Sequence, residues 1–175
     1  MNQFIISIDV GIKNLGICVF DCASDSVCYW NSESIVETGR YMPSRNVEYV
    51  HAFVARHARF FDNAKCVLVE RQMRCNMRII ESVMHSMHYD RCVILAPRHV
   101  KVHFGLSRNN YRLNKQAAVQ WMQEFVVSSP EAFAEGVTET ALKNHASKQD
   151  DLADALLMVM YYIYTYEANK NLRLG

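Results

Sequence analysis

Asp9 ends the apolar run Phe4-Ile5-Ile6-Ser7-Ile8, and Glu70 ends the run Val67-Leu68-Val69. A carboxylate at the end of a hydrophobic strand is expensive to strip of water unless it is paired or bound to a cation. Two more acids, Asp151 and Asp154, open an apolar C-terminal segment. The chain must therefore fold so that buried elements end on charge, and several such ends converging on one place would share a single solution, a bound cation.

The element order follows from hydrophobic periodicity. Residues 3 to 10 and Gly16 to Phe20 are β-rich and separated by Gly11 and Ile12-Lys13-Asn14, which suits a hairpin; Val27 to Trp30 supplies a third strand. Ser44 is placed to cap a helix, with Val47, Val50, Val54, Ala58 and Phe61 at helical spacing through about residue 61. Cys66 to Glu70 reads as a short buried strand, 76 to 88 as a helix, and Cys92 to Ala96 as another buried strand closed by Pro97. Gly105 to Arg112 reads as a loop and Leu113 to Val127 as a helix, followed after Ser128-Ser129-Pro130 by a less regular acidic segment. Ser147 with Asp150 three residues on makes a capping-box-like start to a final helix reaching about Glu167. This order predicts an α/β fold, a mixed five-stranded sheet with helices on both faces.

At 175 residues and 50% apolar content, one domain spanning 1–175 is expected. The longest nearly uncharged stretch, Leu156 to Tyr166, falls short of the roughly 20 residues of a membrane span, and the N-terminus has no basic segment before a cleavable apolar one. An intracellular protein with no membrane partner is therefore expected. The six cysteines form no CxxC pair and read as reduced thiols. His99 with His103, and His85 with His88, could share helical faces, but neither pair has a cysteine or carboxylate at ligand spacing, so zinc is not expected. The net charge of +1 says little about nucleic acid; its distribution says more. From Arg91 through Gln123 there is no acid, while Arg91, Arg98, Lys101, Arg108, Arg112 and Lys115 are basic, a tract suited to phosphate.

On the last helix, successive residues turn by about 100°, which leaves Asp151 and Asp154 roughly 60° apart on one face. Leu152, Ala155, Leu156, Val159 and Ile163 form the adjoining stripe that docks on the sheet, so the acids border it and can face the strand ends. Hard oxygen ligands suit Mg²⁺ or Mn²⁺, and two ions about 4 Å apart can activate a water and stabilise the leaving 3′ oxygen of a phosphodiester. The residues thus point to a divalent-metal nuclease. More ordinary roles remain open beside this: Asp150 and Asp151 favour the positive end of the helix dipole, and Glu70 could pair with Arg71 or Arg74.

Three segments carry a resemblance. Ser7-Ile8-Asp9-Val10-Gly11-Ile12-Lys13-Asn14-Leu15-Gly16, Val69-Glu70-Arg71-Gln72 and Lys148-Gln149-Asp150-Asp151-Leu152-Ala153-Asp154-Ala155 resemble, in order, the RuvC-like Holliday junction resolvases. They are most similar to the branch of poxviruses and other large DNA viruses, with fungal mitochondrial resolvases as relatives through Gly-Ile-Lys-Asn-Leu. The resemblance implies an RNase H-like fold, a homodimer, and Mg²⁺-dependent paired nicking of four-way DNA junctions, with two Mg²⁺ per active site and Mn²⁺ able to substitute. Asp9, Glu70, Asp151 and Asp154 match the family's metal-binding acids. The family also has a catalytic lysine before the last helix, for which Lys115 is the first choice and Lys101 the second; such a lysine would stabilise charge on the phosphate or orient the attacking water.

Arg71, Arg74 and Arg78, at helical spacing after Glu70, are expected to contact phosphates with Lys101, Arg108, Arg112 and Lys115. Tyr111, in the loop with Asn109 and Asn110, is a candidate for stacking on an unpaired base. Leu157, Met160 and Tyr164 make an apolar face opposite the acids, to be covered by another helix or by a second subunit. The expected setting is viral DNA replication and recombination in the host cytoplasm, with mitochondrion or nucleus as alternatives. The competing functions are a nuclease or transposase of the same fold with another substrate, and a junction-binding module without catalysis.

Overall fold

In the computed structural model, which describes residues 3–145 and 149–167, five strands form one sheet in the order β3-β2-β1-β4-β5. β1 (Phe4–Asp9), β2 (Leu15–Asp21) and β3 (Ser26–Glu33) form an antiparallel meander. β4 (Ala64–Glu70) lies parallel to β1, and β5 (Cys92–Leu95) parallel to β4. The sheet is thus mixed and five-stranded, as the hydrophobic runs indicate; β2, β3 and β4 extend one to three residues beyond the expected runs, whereas β1 and β5 stop slightly short of theirs.

Alternation along the strands sorts residues between two cores. Ile6, Ile8, Val67 and Val69 face α1 (Asn46–Arg56), α2 (Ala58–Phe61) and α3 (Cys75–Met87), packing with Phe53, Phe61, Ile80 and Met84. Ile5, Cys18, Cys66 and Leu68 face the other way, toward α5 (Tyr111–Ser128), α6 (Val137–Asn144) and α7 (Asp150–Tyr162). The short α4 (Pro97–His103) also packs against α7. Because Asp9 continues the odd-numbered face of β1 and Glu70 the even-numbered face of β4, both carboxyls lie on the α7 side.

Three contacts fix α7 on the sheet. Ser7, fully buried, donates to the Ala155 carbonyl at 2.6 Å, and the Trp30 indole donates to the Leu152 carbonyl at 3.0 Å. Gly16 is the register partner of Asp9, and a Cβ built on it would stand 2.3 Å from the Asp151 carbonyl oxygen. Leu157 and Met160 are covered within this one chain, packing into the core with Ala118 and Met122 of α5, whereas Tyr164, the third residue of the face opposite the acids, is 46% exposed.

Several local expectations change. Ser44 lies inside a 3-10 turn, Pro43–Arg45, and the helix after it begins at Asn46 with no side-chain cap. That helix stops at His57, whose ring is held by the Glu33 carboxylate at 2.9 Å, and a separate turn of helix follows. Pro97 starts α4 rather than merely ending β5, because at the first helical position its missing N–H would have had no partner. Tyr111 and Arg112 belong to the first turn of α5 and not to a loop: the Asn110 side chain accepts from the Arg112 N–H and caps the helix two residues earlier than the apolar period suggests. The less regular acidic segment contains α6. Ser147 lies outside the described residues, as does Lys148; among those described, Gln149 takes the N-cap position of α7, without a side-chain cap bond. None of the six cysteines forms a disulfide among the described residues.

Candidate metal centre

Asp9 and Glu70 end adjacent parallel strands at the same edge, and α7 crosses those ends with Asp151 and Asp154 in its first turns. The carboxyls of Asp9 and Glu70 hydrogen-bond each other, and Asp9 also feels the charges of Asp154 and Asp151. The structure therefore brings the four sequence-singled acids into one cluster. Burial pushes the Asp9 carboxyl well above the usual range, and the repulsion of its three acidic neighbours pushes it further. Glu70 is also raised, first by burial, although its bonds to Asp9 and Gln72 favour the charged form. Asp154 is raised by burial despite the Lys101 ammonium, which lies 3.2 Å from its Oδ1.

Hard oxygens crowded to the point of resisting ionisation are what a small divalent cation relieves, because it favours the deprotonated form of every carboxylate around it. The donor set fits Mg²⁺ or Mn²⁺ and has no thiolate or imidazole among its groups. Among the described residues, no three acids, histidines or cysteines already stand at the spacing of a closed coordination shell. The carboxyls converge while Lys101 neutralises one of them from within.

The two lysines differ. Lys101, on α4, is turned inward with its side chain 14% exposed, sits against Asp154, and acts electrostatically on Glu70 as well. It is not on the outer phosphate-facing surface where the basic tract would put it; the α4 helix that Pro97 opens aims it at α7. Lys115, on α5, ion-pairs with Asp150 and has its side chain 34% exposed. Burial works against its charge, but the Asp150 carboxylate more than offsets that and holds its pKa above the usual value. Its ammonium also lies 5.2 Å from the centre of the Tyr111 ring. Asp150, read from sequence as a helix-dipole residue, is thus also the partner of Lys115 at the rim of the cluster. No one-dimensional signal gives that pairing, since it depends on how α5 crosses α7.

The arginines after Glu70 do not share a helical face. Residues 71–74 run outside any helix, with Arg74 in an extended conformation, and α3 begins only at Cys75, so of the three only Arg78 is helical. The reason is local: the Arg71 N–H still bonds the Leu95 carbonyl at 2.8 Å, which carries the strand pairing past Glu70, and the Gln72 N–H is taken by the Glu81 carboxylate at 2.6 Å. All three arginines are nonetheless exposed, and Arg108, Arg112 and Tyr111 are exposed at the start of α5. Gln72 itself, which sequence reasoning passed over, donates to Glu70 Oε2 at 2.6 Å.

Sheet order, layer arrangement and an acid-bearing helix across the strand ends define an RNase H-like domain of the RuvC type. The structure is similar to the yeast mitochondrial Holliday junction resolvase Ydc2, at 23% identity and a TM-score of 0.66, over 90% of this chain and 77% of that one. It is similar to the fowlpox virus Holliday junction resolvase at 19% identity and a TM-score of 0.65, over 93% and 99% of the two chains. Thermus thermophilus RuvC in complex with a Holliday junction substrate aligns over 95% of this chain and 96% of that one, at 17% identity and a TM-score of 0.58. No curated protein sequence matches the chain. The family model described as the poxvirus A22 protein matches residues 3–166, and the chain belongs to that family.

Proposed function

We propose that this protein is a divalent-metal-dependent endonuclease that resolves four-way DNA junctions by paired symmetric nicks, acting in viral DNA replication and recombination. The observation that carries the reading is the gathering of Asp9, Glu70, Asp151 and Asp154 at one edge of an RNase H-like sheet. The similar chains include a fowlpox virus resolvase and one solved with its substrate Holliday junction DNA, which supports the choice of substrate. Bound Mg²⁺, two ions in the full centre with Mn²⁺ able to substitute, supplies the Lewis acidity for in-line hydrolysis of a phosphodiester.

The chain's own groups do the rest. The four carboxylates offer oxygens and an anionic site that no nucleophilic side chain needs to enter. Lys101 holds the Asp154 carboxylate in place. Lys115 stays protonated and is exposed enough to approach the scissile phosphate, where it offsets developing negative charge. Arg71, Arg74, Arg78, Arg108 and Arg112 are exposed and meet backbone phosphates. Cutting two opposed strands of a symmetric junction requires two such sites on a two-fold axis, hence a homodimer. No helix of the described residues is long and apolar enough to cross a membrane, and the poxvirus family fits a site of action at viral replication in the host cytoplasm.

The test is nicking of a mobile four-way junction, an RNA/DNA hybrid and plain duplex in parallel, with wild type and Asp151→Asn. Junction-selective, Mg²⁺-dependent nicking that Asp151→Asn abolishes, with junction binding in EDTA retained, is the expected result. Equal cutting of all three substrates would move the function to a general nuclease, and wild-type nicking by Asp151→Asn would remove the acids from the chemistry.

A further inference from the structure

The segment between β4 and α3 holds a polar chain that ends on one of the four acids. Glu81, on α3, accepts from the Gln72 backbone N–H at 2.6 Å. The Gln72 side-chain amide in turn donates to Glu70 Oε2 at 2.6 Å. On the other side, the Arg71 N–H donates to the Leu95 carbonyl at 2.8 Å, so the segment is tied to both β5 and α3. Gln72 is half-buried between exposed Arg71 and Met73. A half-buried side chain in an otherwise exposed loop, with its backbone fixed from a helix and its amide fixed on a strand-end carboxylate, has little freedom to reorient.

The chemistry of an amide matters at this position. Carboxylates that ligate metals are commonly oriented by hydrogen bonds from neighbouring groups, and losing such a partner weakens metal binding about 10- to 100-fold. An arginine or lysine here would orient Glu70 equally well but would cancel the negative charge a cation needs. A neutral donor fixes one oxygen and leaves the charge.

We infer that Gln72 is a positioning residue that orients Glu70 for a divalent cation, braced from α3 by Glu81. This rests on the reading of the four acids as a cation centre. The test measures Mn²⁺ binding directly, by electron paramagnetic resonance on DNA-free full-length protein, for wild type, Gln72→Met, Glu81→Gln, Glu81→Met and Glu70→Gln. Thermal melting and junction binding in EDTA are followed alongside. Gln72→Met is expected to weaken Mn²⁺ about 10-fold and to raise the Mg²⁺ needed for half-maximal nicking by a similar factor. The rate at saturating Mg²⁺ should stay within about threefold of wild type, because the interaction removed is one of cation affinity.

Glu81→Gln keeps an oxygen to accept the Gln72 N–H and should bind Mn²⁺ as wild type does, whereas Glu81→Met should be weakened. That rescue by the conservative change separates positioning from a general loss of structure. Wild-type Mn²⁺ affinity in Gln72→Met, with affinity lost in Glu70→Gln, would overturn the positioning role and leave the centre standing. Equal losses in Glu81→Gln and Glu81→Met, in step with melting temperature, would also overturn it. Wild-type affinity in Glu70→Gln would overturn the centre itself, and the positioning role with it.

Discussion

Replacing Gly16 with alanine should separate catalysis from stability. Gly16 lies across from Asp9 on β2, and α7 passes directly over it. A Cβ there would meet the Asp151 carbonyl oxygen at 2.3 Å, its carbon at 3.0 Å, and Ala155 Cβ at 3.2 Å. The first contact is with backbone and cannot be relieved by a rotamer change. Restoring ordinary van der Waals separation requires α7 to move away from β2 by about 1 Å. Asp151 and Asp154 ride on that part of α7, while Asp9 and Glu70 stay with the sheet.

A displacement of about 1 Å at a reacting centre typically lowers rate about 100-fold, or roughly 2.7 kcal/mol of transition-state stabilisation. Overpacking costs about 1–3 kcal/mol, and removing a strand-interior glycine returns about 0.5–1 kcal/mol. Net destabilisation should therefore be at most about 2.5 kcal/mol, or some 5–10 °C in melting temperature for a domain of this size. Single-turnover nicking of a four-way junction at saturating Mg²⁺, at a temperature where melting shows the variant folded, is the assay. A folded Gly16→Ala protein that nicks within about threefold of wild type would refute the argument that this close approach sets the acid geometry.

Because burial and mutual repulsion raise the Asp9, Glu70 and Asp154 carboxyls, the metal-free folded state holds more protons than the unfolded chain above the ordinary carboxylate range. Metal-free stability should then fall as pH rises through that window; Mg²⁺ should raise the melting temperature more at pH 8 than at pH 5, and Asp9→Asn should melt higher without metal while losing the Mg²⁺ response. Lys115→Met should lower junction nicking about 100-fold at every Mg²⁺ concentration, while Lys101→Met should chiefly change the Mg²⁺ dependence, as read by nicking rate against Mg²⁺. Neither ring nitrogen of buried His88 hydrogen-bonds another described residue, and burial lowers its pKa. The unfolded chain takes up that proton first, so stability should fall as pH drops below about 6.5, and His88→Phe should flatten that part of a melting-temperature profile. Arg108→Ala and Arg112→Ala should each reduce the slope of log affinity against log salt by about 1 for junction binding in EDTA, and an unchanged slope would take that residue off the phosphate surface.

The acids were legible because two periodicities act on them independently. Strand alternation puts Asp9 on the face of Ile5 and Ser7, and Glu70 on the face of Cys66 and Leu68. The helical period puts Asp151 and Asp154 beside the stripe that packs on that same face. Neither argument needs a tertiary contact, so both survive into the structure, and the mixed five-stranded sheet follows from the same runs. The arginines failed for the complementary reason: three residues at helical spacing make a helical face only if the backbone between them is helical, and here the Arg71 N–H still pairs with the Leu95 carbonyl while Arg74 stays extended.

The lysines show where one-dimensional reasoning stops. Both lie in the acid-free tract, and each is within reach of α7 only through a crossing of helices that no local pattern encodes: α4 brings Lys101 to Asp154, and α5 brings Lys115 to Asp150. Their division of labour follows from those crossings and from exposure. The Lys101 ammonium is enclosed among the carboxylates, and the Lys115 ammonium is paired at a more exposed position. Asp150 is then more than a helix-dipole residue. It keeps Lys115 charged and pairs it to the first turn of α7, so the acid read only as a helix-dipole residue also fixes the more exposed of the two lysines.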